Sequence, residues 1–367
     1  MRVLSRKVAT VAAAIGVVGS AAACSSGSGA ASLPTPKAGK AAQFSIVDGS
    51  GHGVVLAPPG GSFDSIAAMS DGGFVYYDGT TLAAVNSHGI AKTIPFTVAV
   101  VSAARGSGAD IVVAASGDAT VATSATTVVT VNLGSGQATT AFQLPKSGSD
   151  ANTTPSVFPV GYRPDGSLVV ANRDSLWSMA PGGSPSLVGR VPVANGMSSA
   201  DVYRVAMGNT GTVYAMTDQI GSTRDPLSNR LGSIMTFAAG STSPVPFALP
   251  SAIPGIAGSP KTLQVDGMTS DGGDGIYALV EESPTGSGQR GRTYVVHLHD
   301  GQAQIVASEV AGSAHTQAAC KLSGEVDASA LPCLPSDGTA MAYHAGKLIL
   351  VGQSTDYKPD YLVIGVG

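Results

Sequence analysis

Six histidines (His52, His88, His297, His299, His315 and His344) are the residues of this 367-residue chain best suited to bind a metal or move a proton near neutral pH. None belongs to an H-E-x-x-H pair, so the zincin arrangement is absent from the sequence. His297 and His299 are two residues apart. In a strand that spacing puts both rings on one face, where they could be two metal ligands. A surface strand running into the Asp300-Gly301 turn explains them equally well. Asp271-Gly-Gly-Asp274-Gly275 superficially suggests a calcium loop, but it lacks the acidic spacing and closing bidentate Glu of an EF-hand and reads as a turn. No cofactor is therefore expected, with calcium the ion held in reserve. Gly196-Met-Ser-Ser-Ala200 is nearest to a nucleophile elbow, yet it lacks the final Gly and a strand-turn-helix setting. No G-x-x-x-x-G-K-[ST] phosphate loop occurs. The sequence carries no catalytic signature.

The three cysteines, Cys24, Cys320 and Cys333, ask a different question, because an odd number in an exported chain needs an explanation. Export is read from the N-terminus. Arg2, Arg6 and Lys7 precede an uncharged, Ala- and Val-rich run over residues 8–23, which ends in Ala21-Ala-Ala-Cys24. Basic start, apolar middle and small residues before a cut site make a secretory signal. A membrane span would need about 20 strongly apolar residues, and this run is shorter and contains Gly16, Gly19 and Ser20. Cys24 directly after the small residues resembles a lipobox, although Ala21 stands where that motif usually has Leu. The resemblance implies that Cys24 becomes the acylated, palmitate-bearing first residue of a lipoprotein held on the outer face of the cell membrane. Residues 25–40 are Ser/Gly/Ala/Pro-rich and read as a flexible tether, with a root-mean-square reach of roughly 20–25 Å. The expected layout is a signal peptide over 1–23, a tether over 24–40 and one domain over 41–367. Lipidation of Cys24 leaves Cys320 and Cys333 as a pair in an oxidising compartment, either as a disulfide or as two buried thiols.

Composition narrows the partners. Without Arg2, Arg6 and Lys7 the chain has 17 Lys+Arg against 24 Asp+Glu, a balance of −7. That argues against nucleic acid and against an anionic lipid surface. Aromatics are 5% of the chain and Trp177 is the single tryptophan, which disfavours sites built on stacked aromatic faces.

Past the signal there is no sustained helical periodicity. A short apolar lead, a Gly-containing turn and an apolar run recur instead. The copies are Met69-Ser-Asp-Gly-Gly-Phe-Val-Tyr-Tyr77, Tyr162-Arg-Pro-Asp-Gly-Ser-Leu-Val-Val-Ala171, Met207-Gly-Asn-Thr-Gly-Thr-Val-Tyr-Ala215 and Met268-Thr-Ser-Asp-Gly-Gly-Asp-Gly-Ile-Tyr-Ala-Leu279. Tyr343-His-Ala-Gly-Lys-Leu-Ile-Leu-Val351 and Ala104-Arg-Gly-Ser-Gly-Ala-Asp-Ile-Val-Val113 are weaker. Each is followed by a further strand, at 81–85, 127–133, 175–179, 232–237, 293–298 and 361–366. Asp-Gly and Asn-Gly suit such hairpin turns because their φ > 0 positions penalise other residues. Six units of about four strands resemble β-propeller blades. The Pro-Asp-Gly-x-Leu-Val-Val turn looks like the six-bladed TolB/SMP-30/NHL-like family, over roughly residues 43–367. The expected class is all-β, a six-bladed propeller, with seven blades compatible with the loose strand count around 110–160. A β-sandwich pair or jelly roll is the other all-β solution. Spare N-terminal strands at 44–47 and 54–57 are available to close the ring.

If the Asp-Gly turns join first to second strands, they share one face. The loops between second and third strands and the inter-blade connections then share the other. The first class is tight, whereas 217–230, 281–292, 354–358 and 320–333 are long, and long loops on a rigid scaffold are where binding resides. The candidate binding face is therefore Asp218, Arg224, Asp225, Arg230, Glu281, Glu282, Arg290, Arg292, Tyr357 and Asp360. The expected function is a membrane-tethered, non-enzymatic propeller that binds a protein, peptide or small ligand. The rival is a lactonase- or quinoprotein-dehydrogenase-type propeller with a metal or quinone at the central channel; a structural subunit of an envelope complex is a third reading.

Overall fold

Phe74–Tyr77 is an uninterrupted apolar run, as are residues 168–171, 213–216 and 276–280, with no polar alternate to face water. Such runs belong to strands covered on both faces. In the computed structural model they are the second strands of separate antiparallel sheets, and every residue in them is buried. The structure describes residues 39–54, 56, 66–77, 81–95, 112–115, 117–123, 126–144, 157–222, 225–282, 291–312, 320–353 and 359–366. Signal, Cys24 and nearly all of the tether lie outside them. Among the described residues no helix is long and apolar enough to cross a membrane.

Six sheets follow one another in chain order, five of them with four strands in sequence from inside to outside. Blade 1 is Ile66–Ala68, Phe74–Tyr77, Leu82–Val85 and Ala91–Ile94; blade 2 is Val112–Ala115, Asp118–Ala122, Thr127–Asn132 and Ala138–Gln143. Blade 3 is Val157–Tyr162, Leu168–Asn172, Ser175–Met179 and Ser186–Arg190. Blade 4 is Ser199–Met207, Val213–Ile220, Ile234–Phe237 and Val245–Pro246; blade 5 is Gln264–Ser270, Ile276–Glu281, Thr293–His299 and Gln302–Ser308. Blade 6 is Ser336–His344, Lys347–Gln353 and Pro359–Gly365, completed by Lys40–Gln43 from the other end of the chain and edged by Val326–Asp327. The chain is a six-bladed β-propeller. Six separate sheets of four or five strands exclude the sandwich and jelly-roll alternatives.

The core lies between blades. One cluster joins Tyr214 and Met216 of blade 4 to Met268, Ile276 and Val296 of blade 5; another joins Leu279 and Val295 of blade 5 to Met341, Leu348 and Leu350 of blade 6. Near the axis the inner strands approach closely enough to require glycine. A Cβ on Gly267 would stand 2.8 Å from both the Thr339 carbonyl oxygen and the Met341 sulfur.

Ring closure uses an earlier segment than expected. Ala41, Ala42 and Gln43 pair antiparallel with Ile364, Val363 and Leu362, so the closing strand begins at the end of the assigned tether rather than at 44–47 or 54–57. Blade 2 also departs from the repeat. Val112–Ala115 is its first strand, not its second, and the turn follows at Gly117, with φ of 88°. The Ala-Ser-Gly-Asp sequence there carries the required glycine without the Asp-Gly order of the copies at 69–77, 162–171 and 268–279. Cys320 and Cys333 are joined as a disulfide in the connection between blades 5 and 6, with Cα atoms 5.1 Å apart.

Candidate ligand site on the propeller axis

Connectivity divides the turns as the repeat implied. First-to-second-strand turns, such as 163–167, 208–212 and 271–275, lie on one face, here the tight-turn face. Second-to-third-strand loops and inter-blade connections lie on the loop face. Blade 3 breaks the length rule, because its second-to-third-strand loop is only Arg173-Asp174, with Arg173 at φ 49°.

The inner strands of all six blades enclose an axial cavity of about 510 Å³. Its wall is made by residues 66–68, 114, 160–162, 203–207, 268–270 and 339–343. It reaches Pro164, Gly208, Asn209 and Gly272, which belong to the tight-turn face. Sequence placed the interesting chemistry on the opposite face, but the cavity leans toward the short turns. An inner strand has a partner on one side only, so its free edge turns unpaired N–H and C=O groups toward the axis. Met207, Met268 and Met341, from three successive blades, give one side of the wall a soft, adaptable apolar surface. Thr269, Ser270 and Asn209 add hydroxyls and an amide. Arg204 is 8% exposed, and its guanidinium lies 5.3 Å from the centre of the Tyr203 ring. Among the described residues that line the cavity there is no carboxylate and no imidazole.

Of the ten residues expected to form a binding face, seven are described. Arg224, Arg290 and Tyr357 lie outside the described residues. Asp218 pairs across the strands with Asp201, whose carboxyl is raised above its ordinary range by burial first, and by Asp218 and Asp174 against the opposing pull of Arg173. Asp225 accepts the Leu227 N–H within its own turn. Arg230 donates to the Thr262 carbonyl, and Glu282 accepts the Ala257 N–H, so both tie second-to-third-strand loops to the connection between blades 4 and 5. Glu281 accepts the Gly291 N–H. Arg292 donates to the Glu309 carbonyl and the Ser308 hydroxyl and lies 5.0 Å from the Tyr294 ring centre. Asp360 is buried in blade 6, where Gln43 of the closing strand donates to it at 3.4 Å. Its carboxylate and the two cysteine sulfurs lie within 4.8 Å of one another, but the disulfide occupies both sulfurs. The described members thus hold their own loops in place.

A cluster that sequence treated as two unrelated features forms on the tight-turn face of blade 5, in the turn whose Gly272 reaches the cavity. Asp271 sits in the first-to-second-strand turn of blade 5, and one of its oxygens accepts the N–H groups of Gly273 at 2.7 Å and Gly275 at 3.1 Å. The other oxygen lies 2.8 Å from His297 Nε2 and 3.8 Å from His299 Nδ1. Burial pushes the Asp271 carboxyl up, but the hydrogen bonds from His297 and the two backbone N–H groups outweigh it, and the net shift is downward. The His297 ring stacks on Tyr277, its cross-strand neighbour, at 4.7 Å. The signal for this meeting was the hairpin register: pairing Tyr277 with His297 puts the Asp271 turn beside the His-x-His end of the third strand.

No protein-family model and no curated relative matches this sequence. Solved structures do. A Bacteroides thetaiotaomicron VPI-5482 protein of unknown function is similar with a TM-score of 0.57 and 12% identity, over 90% of this chain and 76% of that one. An auxiliary nutrient binding protein from the same organism has a TM-score of 0.48 at 9% identity, over 90% of this chain and 77% of that one. A gluconolactonase from Xanthomonas campestris has a TM-score of 0.45 at 13% identity, covering 91% and 97%. The first likeness is one of fold; the other two are too loose to carry a functional argument.

Proposed function

We propose that this protein is an extracytoplasmic, lipid-anchored propeller that binds a small organic ligand in its axial cavity and does not transform it. The carrying observation is the cavity itself. At about 510 Å³ it falls in the range of small-molecule sites. Its wall offers what a ligand with an apolar body and hydrogen-bonding edges needs: thioethers, aromatic rings, hydroxyls and free strand edges. Lactonase- or dehydrogenase-type chemistry at the channel calls for acidic, Asn, His or Arg residues converging from several blades, whereas the described wall offers Arg204 and Asn209 from blade 4 alone and no carboxylate or imidazole. Binding on the loop face is less favoured, since the described charges there are engaged in holding loops together. The anchor rests on the sequence: the basic start, the apolar run, Cys24 and the tether.

Cell fractionation tests the location. Cys24→Ser is expected to release an intact, folded propeller into the medium while the native chain stays with the membrane. A Cys24→Ser protein that remains membrane-bound would mean that residues 8–23 are an uncleaved span.

A further inference from the structure

We propose that the disulfide-closed segment of residues 320–333 is a clasp on the strand that closes the ring. Opening the Cys320–Cys333 bond then loosens that strand while the rest of the propeller stays folded. Neither the ligand reading nor the lipid anchor is needed for this, and each can fail without it.

The closing strand Lys40–Gln43 has three partners in the last strand of the chain, Ile364, Val363 and Leu362. Its other side would be an open sheet edge, a row of unpaired backbone groups. The disulfide segment covers that edge. Val326 and Asp327 pair antiparallel with Ala41 and Lys40, and the Ala328 N–H donates to the Gly39 carbonyl at 3.0 Å. Toward the other end of the strand, Gln43 Nε2 donates to the Cys320 carbonyl at 3.4 Å. One loop therefore grips the strand at both ends.

The two legs of the loop are held differently. The Cys333 leg is fixed to blade 5: the Leu331 N–H donates to the Ser308 carbonyl, and the Leu331 carbonyl accepts the Val310 N–H, both at 2.9 Å. Buried Glu309 accepts the Thr293 N–H at 3.0 Å with one oxygen and the Leu334 N–H at 2.6 Å with the other. Ala328, Leu331 and Leu334 are buried in the same cluster as Ala41. Among the described residues, 320–325 make no such backbone bonds to blade 5. The disulfide is what ties this leg to the fixed one.

The bond is also sheltered. Both cysteines are buried, and the Asp360 carboxylate lies within 4.8 Å of their sulfurs. A negative group there disfavours thiolate, the species through which disulfides exchange. A small dithiol that does reach the bond reduces it to two thiols and itself closes to a cyclic disulfide, which leaves the Cys320 leg joined to the fixed leg through the chain alone. The clasp sits where load enters the ring. The chain that precedes Lys40 joins the propeller at this strand, so tension on it falls first on Gly39 and Lys40, which Ala328 and Asp327 hold.

Hydrogen–deuterium exchange, read by mass spectrometry on the full chain, tests the clasp. In the Cys320→Ser, Cys333→Ser double variant, amides of residues 40–43 and 326–328 are expected to exchange at least about tenfold faster than in the oxidised native chain. Amides of 168–172, in the second strand of blade 3, are expected to keep their native rate. Should the double variant fail to fold, as circular dichroism would reveal, the native chain after complete reduction with dithiothreitol decides by the same comparison. Native exchange at 40–43 overturns the proposal, because the disulfide would then staple only its own loop. Equal acceleration at 40–43 and 168–172, or global unfolding on reduction, overturns it as well, since the disulfide would then support the whole domain.

Discussion

Asp360 is a buried carboxylate whose described side-chain partner, Gln43, is a neutral amide. Burial pushes its pKa from 3.8 up to about 6, against smaller downward pulls from Gln43 and the Tyr361 N–H. A group raised in the folded state contributes stability at a pH below its unfolded value and loses that contribution as pH rises through its folded value. Stability should therefore fall between about pH 4 and pH 6.5, by up to about 3 kcal/mol at 1.36 kcal/mol per pKa unit. Urea denaturation across that range should show the fall in the native protein and a flatter profile in Asp360→Asn, which is expected to be the more stable of the two at pH 7.5. Parallel profiles would remove Asp360 as the source. The same residue shows where sequence reading stops. An aspartate near the end of a loop looks like a surface group, and nothing local reveals that the closing strand covers it.

The elements that were legible were those whose residues answer to local geometry. The Asp-Gly turns could be read because positive φ selects for glycine, as at Gly72, Gly166 and Gly272. The second strands could be read because burial on both faces removes polar alternates. Outer strands were harder. Ala91-Lys-Thr-Ile94 and Ala138-Thr-Thr-Ala-Phe-Gln143 each bury little, so their sequences are under weak constraint. The closing strand Lys40-Ala-Ala-Gln43 has no β-branched or aromatic residue at all, and long-range pairing alone makes it a strand. Its importance is still testable. Ala41 is fully buried between Ile364 on one side and Val326 on the other. Ala41→Pro removes a ladder N–H in mid-strand and should cost about 3 kcal/mol or more by urea denaturation. A native unfolding midpoint would mean that the ring does not depend on this strand.

At the scale of the whole molecule, the cavity belongs to no element. Each blade contributes between one and a few inner-strand residues, so no stretch of sequence announces it. What could be read was the repeat that builds the ring and the N-terminus that exports it. The central claim is binding on the axis, and a thermal-shift screen of small metabolites on the native chain and on a cavity-filled variant tests it most directly. Ala68, at the end of the inner strand of blade 1, lines the cavity and is only partly buried, so Ala68→Trp should fill the space while keeping the fold. A true ligand at 100 times its Kd adds about 2.7 kcal/mol, a rise in Tm on the order of 5 °C for a domain of this size. The account predicts compounds that raise the Tm of the native chain and leave folded Ala68→Trp unchanged. Compounds that stabilise both proteins equally, or a screen in which none stabilises the native chain, would contradict it.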